Sequence, residues 1–555
     1  MQKTCRNPWC QQPFEVTQKD LDLIEEISPS FNGKKESIPP PTLCPDCRQQ
    51  RRLSLRNARH LYRNTCGLTG APLITNVSPD KPFPVYAREA WLGDGWDAAT
   101  YALERKDESF FAQMGELFRR VPRWGNYIEN CENCDFCINS YGGKDSYLVV
   151  SAGDFERCLY AQRVFKSYEC TDCTNLLQAE LCHECLDSED LHSCTFLQNC
   201  KQCQRCDFCL DCASCQDCLL CAGLRRKRYC VRNKQVTREE YEKIRAELLR
   251  NPTTLHTELA RIALTVPHRA NHIIACEGST GDYLTHDKGV LRSFFVSNSE
   301  DAAEIYDSDH VTLSYSNSDA DYYTECYEVG SAAWINHSAF CDNSIYLTDC
   351  YCCSTCSNCE HCFGCIGLKR KQYCILNKQY PREEYERLVP QIIEQMRKAG
   401  EWGEFFPVAI SPFTYNESVA QEYFPLTREE VEEHGWKWKE EKDEMPKVSK
   451  VIPAQKLPDS IEEVPDDILN WAIECEATKR PFKIIRQELD FYRKMRLPIP
   501  HFHPDERHRR RMALRNPRKL WKRSCAKCGK EIETTYAPER PEIVYCENCY
   551  LKEVY

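Results

Sequence analysis

Residues 200–221 read CKQCQRCDFCLDCASCQDCLLC, with a cysteine at every third position from Cys200 to Cys221. Read alone, the run suggests a cluster-binding or metallothionein-like tract. The wider register points elsewhere. Stepping back by twelve from Cys230 meets Cys218, Cys206, Cys194, Cys182, Cys170 and Cys158. The next column reads Cys137, Val149, Ala161, Cys173, Cys185, Leu197, Cys209 and Cys221. A third, turn-like column (Asn139, Ser151, Arg163, Asn175, Asp187, Asn199, Asp211, Gly223) holds no cysteine, so the period does not rest on cysteine spacing alone.

The same register recurs between about 290 and 374. One column there is Val290, Ala302, Ser314, Cys326, Ser338, Cys350, Cys362 and Cys374, with turns at Asp307, Asp319, Ser331, Asn343, Thr355 and Gly367. A fixed short period with small inward residues and polar turns is the mark of a solenoid, each coil stacking on its neighbours. The sequence predicts a parallel β-solenoid in two parts, with coils of twelve residues or a multiple. Cysteine shares its columns with Ala, Ser, Val and Leu, as a packed interior permits, since a free thiol behaves as a small hydrophobe. Metal or iron–sulfur binding stays open where C-x-x-C pairs crowd, at Cys206, Cys209, Cys218 and Cys221.

Both parts close on matching segments, CAGLRRKRYCVRNKQVTREEYEKI and CIGLKRKQYCILNKQYPREEYERL, at a constant offset of 144. Each reads as a basic strand, an Asn-Lys-Gln turn, and a helix opened by Thr237 or Pro381 with acids in its first turn. Such an element caps a solenoid end, where strand edges would otherwise lie open. The basic residues Arg225, Arg226, Lys227, Lys369, Arg370 and Lys371 either keep that edge soluble or contact a polyanion.

The two ends of the chain are cysteine-paired. Cys5, Cys10, Cys44 and Cys47 form two short-spaced pairs, and Cys525, Cys528, Cys546 and Cys549 form two more. Two such pairs brought together make a tetrahedral zinc ribbon. The ends are also copies, LRNARHLYRNTC from Leu55 matching LRNPRKLWKRSC from Leu514 at an offset of 459. Each module reads as two ribbons in series, of which each copy keeps a different one. The lost sites leave Cys66, Thr69, Ala87 and Ala90 in the first module, and Cys475, His503 and Glu506 in the second. About two structural zinc ions are expected, closed by four sulfurs each and hence non-catalytic.

These features give a mainly β chain with some α, in which duplicated double-ribbon modules flank a two-part parallel β-solenoid with helical caps. Expected boundaries are a ribbon module at 1–95, a helical linker at 96–125, the first solenoid at 126–232 and a helical cap and connector at 233–289. The second solenoid follows at 290–378, then a helical cap at 379–400, an aromatic-rich segment at 401–439, a Pro-rich charged linker at 440–468 and the second module at 469–555. The aromatic-rich segment is either packed over a solenoid or a small domain of its own.

The chain has 555 residues, 39 of them cysteine, a net charge of -11 and a mean hydropathy of -0.61. No apolar leader opens it and no apolar run is long enough to span a membrane, so a reducing cytoplasm is expected and the thiols read as ligands or core rather than disulfides. Phosphate-binding loops, dinucleotide fingerprints, nucleophile elbows and zinc-protease motifs are missing, and His268, His272 and Cys276 on a possible helix lack a fourth ligand. In this acidic chain the run 507–523 stands out, with nine Lys or Arg and no acid: Arg507, Arg509, Arg510, Arg511, Arg515, Arg518, Lys519, Lys522 and Arg523. Residues 48–63 carry six Arg. Such runs contact nucleic-acid phosphates or pair with acidic surface of this protein or a partner.

The segments IPPPTLCPDCRQQRRL, SPDKPFPVY, NKQYPREEYE and RMALRNPRKLWKRSC, with YAPERPEIVYCENCYLKEVY, resemble large cysteine-rich zinc-ribbon proteins encoded in candidate-phylum (Parcubacteria-like) bacterial genomes. The resemblance implies zinc and a bacterial cytoplasm and no particular activity. The expectation is therefore a non-enzymatic, zinc-binding scaffold whose partner is RNA, a ribonucleoprotein or a protein. The alternative is a redox or iron–sulfur protein that uses the stacked thiols.

Overall fold

The computed structural model describes residues 1–168, 171, 174–176, 179–180, 191–192, 194–249, 254–440 and 446–554. Cys170, Cys173, Cys182, Cys185 and Asp187 of the expected columns lie outside the described residues. The chain divides into two compact units, Met1–Asn126 with Asn271–Lys439, and Tyr127–Ala270 with Glu440–Tyr555. Each unit thus joins one terminal module to the solenoid remote from it in sequence.

Both solenoids are parallel, with a coil of twelve residues. In the second unit Cys209 pairs with Cys221 and Cys218 with Cys230, and in the first Cys362 pairs with Cys374. The ladder of the first unit starts at Ile273, whose partner is Leu284, ahead of the expected boundary at 290. Each coil has four corners rather than one. Asn199, Gln202, Arg205, Phe208, Asp211, Ser214, Asp217 and Leu220 all hold φ between 49° and 53°. A left-handed residue at every third position turns each coil into four three-residue sides, each aiming one side chain inward. Such a corner costs a non-glycine residue roughly 1–2 kcal/mol, offset by ladder hydrogen bonds to the coils on both sides. Three of the four corner columns went unrecognised in the sequence because residues such as Phe208 and Leu220 are not turn formers.

The interior explains the cysteines. Cys206 Sγ lies 3.4 Å from the Gln204 carbonyl and 3.6 Å from that of Cys215, and Cys209 repeats the pattern with Asp207 and Cys218. Inward serines use the same acceptor, Ser140 Oγ donating to the Ile138 carbonyl at 2.8 Å. Ser and Cys therefore interchange in one column because both are small and both satisfy the same backbone oxygen. The described solenoid thiols are free, and those from Cys194 to Cys221 are at most 1 % exposed.

Each solenoid ends on the asparagine of its Asn-Lys-Gln turn. Asn233 accepts from the Ala222 amide and donates to the Ala222 carbonyl, both at 2.9 Å, and Asn377 does the same to Ile366 at 2.8 Å. The side-chain amide takes the place of the peptide that a further coil would supply. Helix Arg238–Leu248, with a Thr237–Glu240 capping box, then covers the end of one solenoid, and Arg382–Ala399 that of the other. Some of the cap cations are held internally, Lys369 donating to the carbonyls of Trp91 and Gly93 and Lys371 pairing with Asp97, while Arg226, Lys227 and Arg370 are exposed. Arg225 pairs with Asp211.

The aromatic-rich segment packs over the solenoid of its unit, with Trp402 6.0 Å from Phe340 and 6.3 Å from Phe363, ring to ring. The expected linker at 440–468 contributes structure of its own, since strand Lys450–Pro453 pairs with Trp471–Glu474. His268 lies in a short strand rather than a helix, and His272 bonds Asp282. No described helix is long and apolar enough to cross a membrane.

Candidate metal centres

The first module opens with a hairpin, strand Gln2–Thr4 against Pro13–Glu15, and Cys5 and Cys10 sit in its turn. Gln11 there takes a left-handed φ of 48°. Cys44 caps helix Pro45–Leu53 and Cys47 occupies its first turn, where the helix N-terminus favours thiolate. The four sulfurs all lie within 4.8 Å of one another, and Cys10 and Cys44 are 3.7 Å apart. A tetrahedron of Zn–S bonds near 2.3 Å has S···S edges of about 3.8 Å, so the thiols stand where a zinc ion would hold them. Asn7 Nδ2 reaches Cys47 at 3.2 Å, and the Cys44 amide reaches Cys5 at 3.3 Å.

The second module repeats the arrangement. Cys525 follows strand Trp521–Ser524, Gly529 turns the knuckle at φ 73°, and Cys546 and Cys549 stand at the start of helix Glu547–Val554. Cys528 and Cys546 are 3.8 Å apart, and this group also meets the 4.8 Å limit. The first site is largely buried, whereas Cys528 is exposed.

Crowding splits the titration of these thiols. A hydrogen bond from Cys47 brings Cys44 down to about 5, while burial pushes Cys10 up to about 11. Burial raises Cys525, but the amides of Cys546, Cys528 and Lys527 outweigh it and bring it to about 6. Thiolate is therefore available to a cation at neutral pH. Four sulfurs and no oxygen suit a thiophilic ion such as zinc, and closed four-sulfur coordination suits a structural role. Among the described residues no other group of ligands comes together this way.

The two lost ribbons keep their backbone. Cys66 accepts the Ala87 amide at 3.3 Å, as Cys525 accepts that of Cys546 at 3.2 Å, and Gly70 turns the knuckle at φ 74°. Around Cys66 the interior is packed by Tyr86 and Trp91, with Trp96 and Trp124 beside them. At Cys475 the remaining donors are engaged elsewhere. His503 Nδ1 accepts from the Asp505 amide, and Glu506 bonds Arg509 and Arg510 at 2.8 Å.

The basic runs largely serve the units themselves. In helix Pro45–Leu53, Arg48 pairs with Glu304 at 2.5 Å and Arg51 with Glu328 at 3.0 Å and Glu404 at 2.6 Å. Arg52 donates to Ser316 and Ser318 of the solenoid, and Arg56 pairs with Asp319. In the other unit Arg507 is buried, bonds Glu488 and Tyr492, and stacks over Tyr160. Arg511 is buried too. Arg523 donates to the carbonyls of Ala537 and Glu542, and Arg515 and Arg518 are engaged as well. Arg509, Arg510, Lys519 and Lys522 remain at the surface. Burial withdraws Arg507 and Arg511 from the expected phosphate-contacting set. The partners Glu304, Glu328 and Asp319 were missed because they are scattered through coils. Their signal is the duplication: Arg48 and Arg507 differ by the module offset of 459, and Tyr160 and Glu304 by the solenoid offset of 144.

A scan against protein-family models finds no match to this chain, and a search of curated proteins finds none either.

Proposed function

We propose that this chain is a non-catalytic zinc protein of a bacterial cytoplasm, a scaffold in which each zinc-ribbon module clamps a thiol-packed solenoid and the solenoid presents a long, regular surface to partners. The four-sulfur groups at the ends carry the reading, because their S···S separations of 3.7 and 3.8 Å suit zinc and leave no position for substrate. The clamp adds support, since the arginines that follow Cys47 reach into the solenoid. The solenoid thiols favour a core role over redox or iron–sulfur chemistry, being buried donors to backbone carbonyls. A nucleic-acid or ribonucleoprotein partner would be met by Arg509, Arg510, Lys519 and Lys522, a smaller set than the sequence offered. Elemental analysis of protein purified without oxygen tests the reading. Two zinc ions per chain and no iron support it; iron with visible absorbance overturns it in favour of the redox alternative.

A further inference from the structure

The solenoid of the first unit carries a second face with the chemistry that already holds the ribbon module. In the occupied face, Tyr315 and Tyr327 stack one coil apart at 5.5 Å, beside Glu304 and Glu328. Arg48 lies over the Tyr315 ring at 5.0 Å while its guanidinium pairs with Glu304, and Arg51 pairs with Glu328. A stacked aromatic column flanked by carboxylates thus receives arginine.

The other face presents the same elements to solvent. His310, Tyr322, Trp334 and Tyr346 occupy successive corners of one column and stack at 4.9, 5.5 and 5.1 Å with interplanar angles of 18°, 4° and 15°. Tyr322, Trp334 and Tyr346 are 47 %, 48 % and 48 % exposed, the large apolar side chains that stand exposed among this solenoid's described coils. The adjoining corner column holds Glu325, His337 and Asp349, and Thr324, Asn336 and Thr348 lie between the two. From Ser293 to Leu368 the sequence has twelve Asp or Glu and no Lys or Arg. The module's own cations answer Asp301, Glu304, Asp319 and Glu328. Among the described residues, no Lys or Arg pairs with Asp309, Glu325, Asp349 or Glu360. His310 meets Asp309, His337 and His361 meet Asp349, and Gln372 donates to Glu360, so an arginine at Asp349 competes with imidazole.

Resting on the scaffold reading above, we propose that the Tyr322–Trp334–Tyr346 face is a docking surface for an arginine-rich segment of a partner protein. Arginine stems pack on the aromatic edges while the guanidinium forks pair with Glu325 and Asp349, as Arg48 does in the occupied face. The carboxylates outnumber the lysines and arginines here, which disfavours a nucleic acid, and an uncharged polymer would leave Glu325 desolvated without a counter-charge.

The test uses the zinc-loaded full chain and a fluorescein-labelled twelve-residue oligo-arginine peptide, followed by anisotropy. Oligo-lysine and a short oligouridylate of equal length serve as comparisons. Binding should weaken about tenfold in Tyr322→Ser/Trp334→Ser and in Glu325→Gln/Asp349→Asn, the size of a lost central anchor. It should change less than about twofold in Glu462→Gln/Glu463→Gln, an equal change of net charge elsewhere. The arginine peptide should bind more tightly than the lysine peptide. Equal losses in all three variants mean diffuse attraction and overturn the proposal, as does tighter binding of oligouridylate at this face. Zinc content on the same samples separates this outcome from failure of the scaffold reading. If the double aromatic variant loses zinc or secondary structure, Tyr346→Ser at the end of the stack replaces it.

Discussion

Arg48 and Glu304 form an ion pair 2.5 Å long in which both side chains are only 1 % exposed. Arg48 belongs to the helix capped by Cys44, so the pair ties the candidate metal centre to the solenoid wall. Removing one partner of such a pair strands the other charge, which costs about 3–5 kcal/mol, whereas replacing both by apolar groups of similar volume is close to neutral. Glu304→Ala should therefore destabilise the first unit by that amount. Arg48→Met/Glu304→Leu should recover most of the loss. Amide hydrogen exchange in helix Pro45–Leu53 reads both effects, rising in the single variant and returning toward wild type in the double.

If the two four-sulfur groups hold zinc as proposed, they should release it in order. Cys528 is exposed, whereas Cys5, Cys44 and Cys47 are buried, so a chelator reaches the C-terminal ion first. Release followed with a colorimetric chelator should be biphasic. Cys528→Ser should abolish the fast phase and leave one equivalent of zinc, and Cys47→Ser the slow phase. Cys66→Ser, at a lost ribbon packed by Trp91, should leave the zinc content unchanged.

Asn377 closes its solenoid by two hydrogen bonds of 2.8 Å to Ile366 and donates a further one to the Ala98 carbonyl. It is fully buried. Asn377→Ala leaves the Ile366 amide and carbonyl without partners inside the protein, at about 1–3 kcal/mol for each unsatisfied group. Asn377→Asp restores the acceptor but sets a carboxyl against the Ile366 and Ala98 carbonyls in a fully buried site, so it should be at least as destabilising as Asn377→Ala. Chemical denaturation followed by tyrosine and tryptophan emission ranks the three.

The solenoid thiols should be silent in the native chain. Cys200 to Cys221 are buried, so a thiol-directed reagent should label them only on unfolding. Labelling of Cys206 or Cys209 at the native rate, read by peptide mapping, would mean that the coils open readily and would revive a redox role.

What the sequence revealed and what it hid follow from how each feature is encoded. The coil length was legible because one inward position per side repeats strictly, and Cys218 and Cys230 stand in it at the spacing their strands adopt. The ribbons were legible because four ligands must sit on two tight turns. The four-cornered cross-section was hidden, since Phe208 and Leu220 adopt a left-handed conformation that their residue types do not advertise. The role of the basic runs was hidden for another reason. Charge density along 48–63 does not tell a phosphate-binding surface from a helix whose Arg48 and Arg52 are sunk into acidic and hydroxyl-lined coils, and only the fold supplies Glu304 and Ser316.

His337 gives the chain a pH dependence whose sign is fixed by its neighbour. Its Nδ1 meets the Asp349 carboxylate, and this bond raises the imidazole above its ordinary value of 6.5, with burial opposing, Glu325 assisting and Lys35 opposing. A group whose affinity for a proton is higher in the folded chain stabilises the fold while it is protonated in both states. The contribution is thus complete below 6.5 and is lost as pH rises through the folded value. Asp349→Asn removes the main cause of the shift. The difference in thermal midpoint between wild type and this variant should be largest in mildly acidic buffer and shrink as pH rises into the alkaline range. A gap that instead widened with pH would mean that His337 is neutral in the fold and bonded to Asp349 as a donor only.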